Sequence, residues 1–342
     1  MTSTDQKCCV EYIWLDSENN LRSKTRVIDQ NHLKSLPDWN YDGSSTNQAK
    51  GRNTEIKIKP RLTVKNPLLD YSHSYLTICE TFDHNDQPLS NNHREKANKL
   101  FSQLESQEPW FGLEQEYFII DRKTNLPLGF PLAGHGVPLP QGPYYCSYRN
   151  SQIAREIAEK HLVACLQADL KISGINAEVA PGQWEFQIGP CVGIEAGDHM
   201  YLARYLLEAI VSRYNCEVNY EPKPLTGDWN GSGCHVNFST REMREPGGLK
   251  LINDAMVSLE QRHSEHMTIY GIGNERRLTG AHETAPFNKF SWGIGTRCTS
   301  VRIGHETQEQ GYGYFEDRRP ASNIDPYIVT AKIFATVNKL DY

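Results

Sequence analysis

The stretch Glu178-Val179-Ala180-Pro181-Gly182-Gln183-Trp184-Glu185 decides how the rest of this sequence is read. Pro181-Gly182 is a two-residue turn signal with apolar and aromatic residues on both sides. A hairpin closed there sets Ala180 opposite Gln183, Val179 opposite Trp184 and Glu178 opposite Glu185. Directly opposed side chains of an antiparallel pair stand about 4.5–5.5 Å apart at Cβ, where like charges repel. Two facing carboxylates call for a cation between them or a shared proton, and hard divalent ions take oxygen ligands of this kind. The competing reading is an ordinary hairpin whose glutamates splay into water, the commoner case for one such stretch alone. Further acids and a histidine with matching geometry decide between the two.

Three other segments carry that chemistry. In Gly112-Leu-Glu-Gln-Glu-Tyr117 a strand puts Glu114 and Glu116 on one face, since residues two apart share a side. Phe111, Tyr117, Phe118 and Ile119 suggest a strand buried on both sides, where unpaired carboxylates are costly; a polar face in water is the alternative. Asn230-Gly-Ser-Gly-Cys-His-Val-Asn-Phe-Ser239 places His235 on a strand just past two glycines, which let a ligand or another backbone approach. Alone, His235 reads as a core histidine; beside the acids, neutral imidazole can complete a metal shell. In Tyr314-Phe-Glu-Asp-Arg-Arg319 the same period sets Glu316 and Arg318 on one face, and Arg276, Arg277, Arg297 and Arg302 lie upstream. Each arginine alone reads as a surface ion pair. Together with acids and metals, these forked cations suit transfer of a phosphoryl group between anions. There is no G-x-x-x-x-G-K-[ST] phosphate loop, and Gly271-Ile-Gly273 is too little to signal a dinucleotide.

The totals set limits around this chemistry. At 342 residues there is room for one large domain and a small one. Charged residues at 23% and hydrophobic ones at 38% describe a globular chain. A net charge of −6 with no basic run argues against a nucleic-acid partner. Met1 to Val10 has no apolar core of a secretory signal, and the apolar run Tyr201–Tyr214 is broken by Arg204, Glu208 and Arg213, so no membrane partner is expected. Nine cysteines without a C-x-x-C pair suit reduced thiols in the cytoplasm.

Along the chain, Val10–Leu15, Thr25–Ile28, Glu55–Ile58, Leu62–Val64 and Tyr75–Thr81 read as strands. Leu36 to Asn47 reads as a polar loop whose Trp39 and Tyr41 need something to pack on, plausibly another subunit. The polar segment Asp83–Asn92 is the expected boundary between a domain of residues 1–87 and one of 88–342. Beyond it, helical spacing marks 92–107, 151–170, 199–214, 248–270 and 326–338. Strands are expected at Trp110–Asp121, Ile175–Gly189 (as a hairpin), Gly231–Thr240 and Tyr314–Arg318, with loops at 126–143 and 271–312. Helices and strands mix without strict βαβ alternation, which predicts an α+β fold.

Seven blocks in order carry a family resemblance: Trp39-N-Y-D-G-S-S-Thr46, Gly112-L-E-Q-E-Tyr117, Gly142-P-Y-Y-Cys146, Asn176-A-E-V-A-P-G-Q-W-E-F-Q-I-G-Pro190, Asn230-G-S-G-C-His235, Glu275-R-R-L-T-G-A-H-E-Thr284 and Tyr314-F-E-D-R-R-Pro320. From about Tyr12 to Tyr327 the chain resembles the glutamine synthetases of the eukaryotic (class II) type. The resemblance implies a small β-grasp-like N-terminal domain followed by a larger α+β catalytic domain with a curved antiparallel sheet. It implies an ATP-dependent ligase that joins ammonium to L-glutamate through γ-glutamyl phosphate. By the same similarity Glu116, Glu178 and Glu185 hold one divalent ion and Glu114, His235 and Glu316 another. That makes at least two Mg2+ (or Mn2+) per site. Asn230, Gly231, Arg277, Arg297 and Arg318 would contact glutamate. Trp110, Asn237, Ser239, Arg297, Arg302 and Tyr314 would face ATP. Asp42, on the loop of a neighbouring subunit, would accept the ammonium proton, and Glu283 would sit on a flap over the glutamate site. The implied assembly is a homo-oligomer of two stacked pentameric rings, with sites shared between subunits.

The chain departs from the family pattern at two places. Ser147-Tyr148-Arg149-Asn150 stands where relatives carry glycines, and Arg302-Ile303-Gly304-His305 stands where they read R-I-P-R. The second change removes a cation on the ATP side and loosens a turn. Two other readings compete with the ligase. A non-catalytic ring-forming scaffold has no need of all six metal-ligand positions, Asp42 and Glu283, all of which are present. A ligase or kinase acting on another acid or amine is disfavoured by Glu283, Asp42 and the arginine set.

Overall fold

The computed structural model describes residues 6–131 and 140–342. The chain begins with a mixed sheet of β1 (Lys7–Leu15), β2 (Leu21–Asp29), β3 (Trp39–Asp42), β4 (Glu55–Lys65) and β5 (Ser74–Phe82). Their order is β2-β1-β5-β4-β3, antiparallel except where β1 lies beside β5. Strand periodicity sorts β1 into two faces. Cys8, Val10, Tyr12 and Trp14 pack with Ile28, Ile58 and Cys79 into a core of their own. Ile13, on the other face, joins Leu76 and Ile78 in the main core.

Two sequence expectations change here. The stretch read as a polar loop contains β3, paired with β4. Within their own chain its aromatics already have partners: Trp39 meets Tyr12 edge-on at 5.4 Å, and Tyr41 stacks on Trp14 at 4.5 Å, while both stay partly exposed. Glu55–Ile58 and Leu62–Val64 belong to one strand, because a register shift between Pro60 and Leu62 accommodates the proline.

After α1 (His93–Gln103), capped by Asn92, comes the long β6 (Trp110–Asp121) and the short β7 (Leu126–Pro127). The chain continues through α2 (Gln152–Gln167), β8 (Ile172–Ala177), β9 (Gln183–Val192), α3 (Glu195–Ser212), β10 (Cys216–Asn219) and β11 (Cys234–Ser239). It ends with α4 (Leu249–Gln261), α5 (His263–Met267), β12 (Trp292–Ile294), β13 (Val301–Ile303), α6 (His305–Gln310), β14 (Phe315–Asp317) and α7 (Pro326–Val337). The segment 248–270 is thus two helices rather than one, divided at Arg262, and the expected loop 271–312 holds two short strands and a helix.

The second sheet runs β12-β13-β14-β11-β6-β9-β8, antiparallel apart from β12 with β13. This is the expected α+β architecture. In β6, Phe111, Leu113, Gln115 and Tyr117 are fully buried on the side of the main core, where Phe186, Phe238 and Phe315 join them. Glu114 and Glu116 take the opposite side by period two.

The two sheets are tied by charge. Arg94 of α1 donates to Asp198 of α3 through Nε and Nη2, at 2.8 Å each, and to Glu80 of β5 through Nη1 at 3.0 Å. Tyr327 donates to the same Asp198 at 2.6 Å. Both acids are nearly inaccessible, at 3–4% side-chain exposure. Arg94→Met leaves buried Asp198 with the Tyr327 hydroxyl but no cation, and Glu80 with Arg61 alone, and we expect it to lower stability by about 3 kcal/mol. Urea unfolding followed by tryptophan fluorescence checks this; a midpoint equal to wild type refutes it.

Candidate metal and substrate site

Strand register assembles the acids. In the antiparallel pair of β6 and β11, Glu114 lies opposite His235. In the pair of β6 and β9, Glu116 lies opposite Glu185. Glu316 of β14 stands opposite both Asn237 of β11 and Arg302 of β13. Two clusters result, Glu114 with His235 and Glu316, and Glu116 with Glu178 and Glu185. Within each, one ligand atom per residue lies within 4.8 Å of the others.

The hairpin between β8 and β9 departs from its predicted register. Gln183 N–H donates to Ala180 O at 3.2 Å and Gly182 has φ +70°, so Pro181-Gly182 does form the tight turn. Beyond it the ladder shifts by two: Glu178 N–H donates to Gln183 O, and Glu185 faces Asn176, not Glu178. A turn of this type does not match the twist of paired strands and splays them. A shift of two preserves sidedness, so Glu178 and Glu185 still converge, around Glu116 rather than face to face.

Fixed donors already satisfy part of each carboxylate. Asn237 Nδ2 donates to Glu114 at 2.6 Å, Gly233 N–H to Glu116 at 2.7 Å, and Asn176 Nδ2 to Glu178 at 2.9 Å. Gln187 donates to Glu185. Glu316 is clamped by Arg318 Nη1 at 2.7 Å and Arg302 Nε at 2.5 Å. His235 Nδ1 faces Glu114 at 3.4 Å and Glu316 at 3.5 Å. Its other nitrogen lies 3.2 Å from Arg277 Nη2. Burial, with Arg318 and Arg277 adding to it, holds His235 far below the usual imidazole range, so it is neutral.

Glu116, Glu178 and Glu185 are pushed upward, first by burial. Glu178 is raised further by Glu116, and Glu185 by Glu114. Three oxygen donors that resist ionisation unless a cation arrives fit a hard divalent ion, and the neutral imidazole with two carboxylates fits a second.

A cavity of about 370 Å³ opens over both clusters, and Asn230, Arg277, Glu283, Arg297, Arg302 and Arg318 also line it. Arg277 is buried, which lowers it to about 10, and its guanidinium is held by Asn274 Oδ1 at 3.2 Å and Arg318 O at 2.8 Å. Gly231 and Gly233 make that possible: a Cβ on Gly233 would lie 2.5 Å from Arg277 Nη2, and one on Gly231 2.2 Å from Pro222 O. Asn230 Oδ1 is buried without a partner. Glu283 reaches Arg297 at 3.3 Å. Arg276 points elsewhere, to Glu221 at 3.1 Å.

Glu114 also lines a second cavity of about 600 Å³, walled by Trp110, Phe238, Pro190, Ser239 and Tyr314. Asn237 and Gly304 reach it too. Arg244 was not singled out from sequence. It lies 3.9 Å over the Trp110 ring and donates to Ser239 Oγ at 3.0 Å. Nothing in its neighbourhood of the sequence marked it, since its relevance comes from β6 and β11 lying side by side. Tyr145, lining the first cavity, lies in the Gly142–Cys146 block but was not assigned a role. Asp42 lines neither cavity. It sits exposed at the end of β3, and its carboxylate accepts from Ser44 N–H at 3.0 Å and Ser44 Oγ at 2.8 Å. Those bonds hold it below the ordinary carboxylate range.

With this geometry in place, comparison with known proteins decides the family. Residues 91–251 match the model of the glutamine synthetase catalytic domain. A putative glutamine synthetase of Acanthamoeba polyphaga mimivirus is 51% identical over 338 residues, covering 97% of this chain and 94% of that protein. The chain belongs to the glutamine synthetase family. The cytosolic isozyme 1-1 of Oryza sativa subsp. japonica is 49% identical over 342 residues, covering 98% of this chain and 95% of the rice protein. A chloroplastic glutamine synthetase of Daucus carota reaches 48%, over 98% of this chain and 78% of its own length. Family membership rests on nearly the whole chain, including the Glu283 and Glu316 segments that lie beyond the matched domain model.

The raised carboxylates make the fold sensitive to pH. A group whose folded value is raised holds its proton more tightly when folded, so stability falls as pH climbs from the ordinary carboxylate range through the raised values. A divalent ion removes that penalty. We expect metal-stripped protein to lose thermal stability between about pH 5 and pH 8, and Mn2+ to raise the melting temperature more at the upper end. A metal-induced shift that is the same at both ends contradicts this.

Proposed function

We propose that this chain joins ammonia to the side-chain carboxylate of L-glutamate, with ATP as co-substrate, giving L-glutamine, ADP and phosphate through γ-glutamyl phosphate. The observation that carries the reading is the pair of acid clusters in one arginine-lined cavity that meets a second, aromatic-walled cavity at Glu114. Glu116, Glu178 and Glu185 would hold one Mg2+ or Mn2+, and Glu114, His235 and Glu316 another. When bound, such ions neutralise phosphate and carboxylate charge and so make phosphoryl transfer between two anions accessible.

The protein's own groups do the rest. Trp110 and Tyr314 offer flat faces for the base of ATP, while Asn237 and Ser239 present polar groups beside them. Arg302 and Arg318 already neutralise Glu316 and face the space where the transferring group would lie. Asn230 and Gly231, with Arg277 and Arg297, suit the main-chain carboxylate and amine of glutamate. Glu283 closes the cavity and keeps water from an acyl phosphate.

Asp42 takes the proton of ammonium, and because it lines neither cavity of its own chain, it must come from another copy. That requirement supports an assembly in which one subunit's N-terminal sheet completes its neighbour's site, and the family resemblance favours two stacked pentamers. On this reading residues 1–87 are the β-grasp-like unit and 88–342 the catalytic one. The cytosol is the compartment we favour, from the resemblance to cytosolic isozymes of rice and carrot, although chloroplastic relatives are nearly as similar.

Purified protein given ATP, Mg2+, glutamate and ammonium is expected to release ADP and glutamine in equal amounts, and neither when glutamate is withheld. ADP without glutamine, or no turnover at all, removes the assignment. Glu283→Ala should continue to form ADP while glutamine falls at least about tenfold. Asp42→Asn should be inactive alone and regain activity in mixed oligomers with Glu185→Gln. Mixtures that stay inactive exclude the shared site.

A further inference from the structure

The tip of the Glu283 segment is held in an unfavourable shape. His282 and Glu283 both lie in the left-handed region, at φ +52° and +62°, where consecutive non-glycine residues persist only if their surroundings hold them. Thr284 closes the turn, its N–H and Oγ1 donating to Ala281 O at 3.2 and 2.7 Å. Glu283 is held by Arg297, and its carbonyl by Arg318 Nη2 at 3.4 Å.

His282 is held from a different direction. Gln141 Nε2 lies 3.3 Å from His282 Nδ1, and the opposite ring nitrogen lies 3.3 Å from Asp228 Oδ1. The amide of Gln141 is itself occupied at its other end: Oε1 accepts from Asn230 N–H at 2.6 Å. A carboxamide nitrogen can only donate, so Nδ1 accepts and the ring proton sits on Nε2, facing Asp228. Every donor in the chain from Asn230 through Gln141 and His282 to Asp228 then has an acceptor. The Asp228 side chain is 98% exposed, so that last contact is weak. The Gln141 amide carries the link.

We infer that Gln141 and His282 are positioning residues: together they fasten the segment bearing Glu283 to the backbone of Asn230, so that closure over the substrate and the placing of Asn230 occur as one event. The inference rests on the ligase reading above. It assigns the work to one carboxamide, which ties the flap to the loop that meets glutamate.

The test is steady-state kinetics of Gln141→Ala, His282→Ala, the double variant and His282→Asn, with ADP and glutamine measured together. Each alanine variant is expected to raise ADP formed per glutamine about threefold and to raise KM for glutamate, with KM for ATP unchanged. The double variant should be no worse than the poorer single one, because both remove the same link. His282→Asn keeps an acceptor near the Nδ1 position and tolerates the left-handed backbone, so it should restore coupling. Hydrogen exchange of amides 279–284 should quicken in Gln141→Ala, which a mere loss of folding would extend to the whole chain. Single variants with wild-type coupling, or single effects that multiply in the double, overturn the link while leaving the ligase standing. Wild-type protein that forms no glutamine sinks the ligase reading and the link with it.

Discussion

Glu114, Glu116, Glu178 and Glu185 line one cavity, and Glu316, buried beside it, clusters with Glu114 and His235; the mutual repulsion of these five carboxylates is the constraint the surrounding structure answers. Fixed groups of the fold answer that repulsion. Arg302 and Arg318 neutralise Glu316 directly. Backbone and amide donors from Gly233, Asn237, Asn176 and Gln187 satisfy the others. Burial, with the neighbouring carboxylates adding to it, lifts Glu116, Glu178 and Glu185 together. In such a site a divalent ion would compete with protons for the same oxygens.

Holding those acids still is the task of the opposite face of β6. Gln115 points away from the cavity, between Glu114 and Glu116, into the main core. Its Oε1 accepts from Arg204 Nε at 2.9 Å, and its Nε2 donates to Ser322 Oγ at 2.8 Å and to Glu116 O at 2.8 Å. Arg204 also donates to the carbonyls of Ile324 and Ser322. A guanidinium buried with only neutral hydrogen-bond acceptors carries a desolvation cost, and here its bonds join three separate segments. The chain of bonds locks the backbone between the two acid clusters to the segment following β14. On β14 the pattern repeats: Glu316 faces Glu114 and His235, while Asp317 pairs with the buried Arg319 at 2.6 Å behind it. Tyr270 and His263 bind that pair in turn.

Much of this was legible in the sequence, for a definite reason. Period-two alternation in Gly112–Tyr117 and Tyr314–Arg318 depends only on strand geometry, so the sidedness of Glu114, Glu116, Glu316 and Arg318 could be read without knowing their partners. Elements with strong local signals were also readable, including β6, α2 capped by Ser151, and α7 with Asp325 and Pro326 at its start. What could not be read was anything set by pairing at a distance. The β8–β9 register slipped by two because turn geometry, not charge, governs the first pairs. The strands β3, β12 and β13, three or four residues long, lie in stretches rich in turn formers, and exist because a neighbour supplies their hydrogen bonds. Arg244 and Gln141 carry no local signature at all.

The same dependence on pairing explains why the two cavities meet where they do. Glu114 lines both, and it does so because β6 lies between β9 and β11 in a register that sets Glu114 against His235 and Glu116 against Glu185. A slip of one residue in β6 would turn every side chain to the other face. Gln115 would then enter the cavity, and Glu114 and Glu116 would be driven among Phe186, Phe238 and Tyr117's neighbours with no cation to meet them. The aromatic and aliphatic residues on the core side of β6 therefore do more than stabilise the fold. Their preference for burial fixes the register, and the register builds the site. Hydrophobic pattern and acid pattern are interleaved in one strand, so neither can be altered without displacing the other.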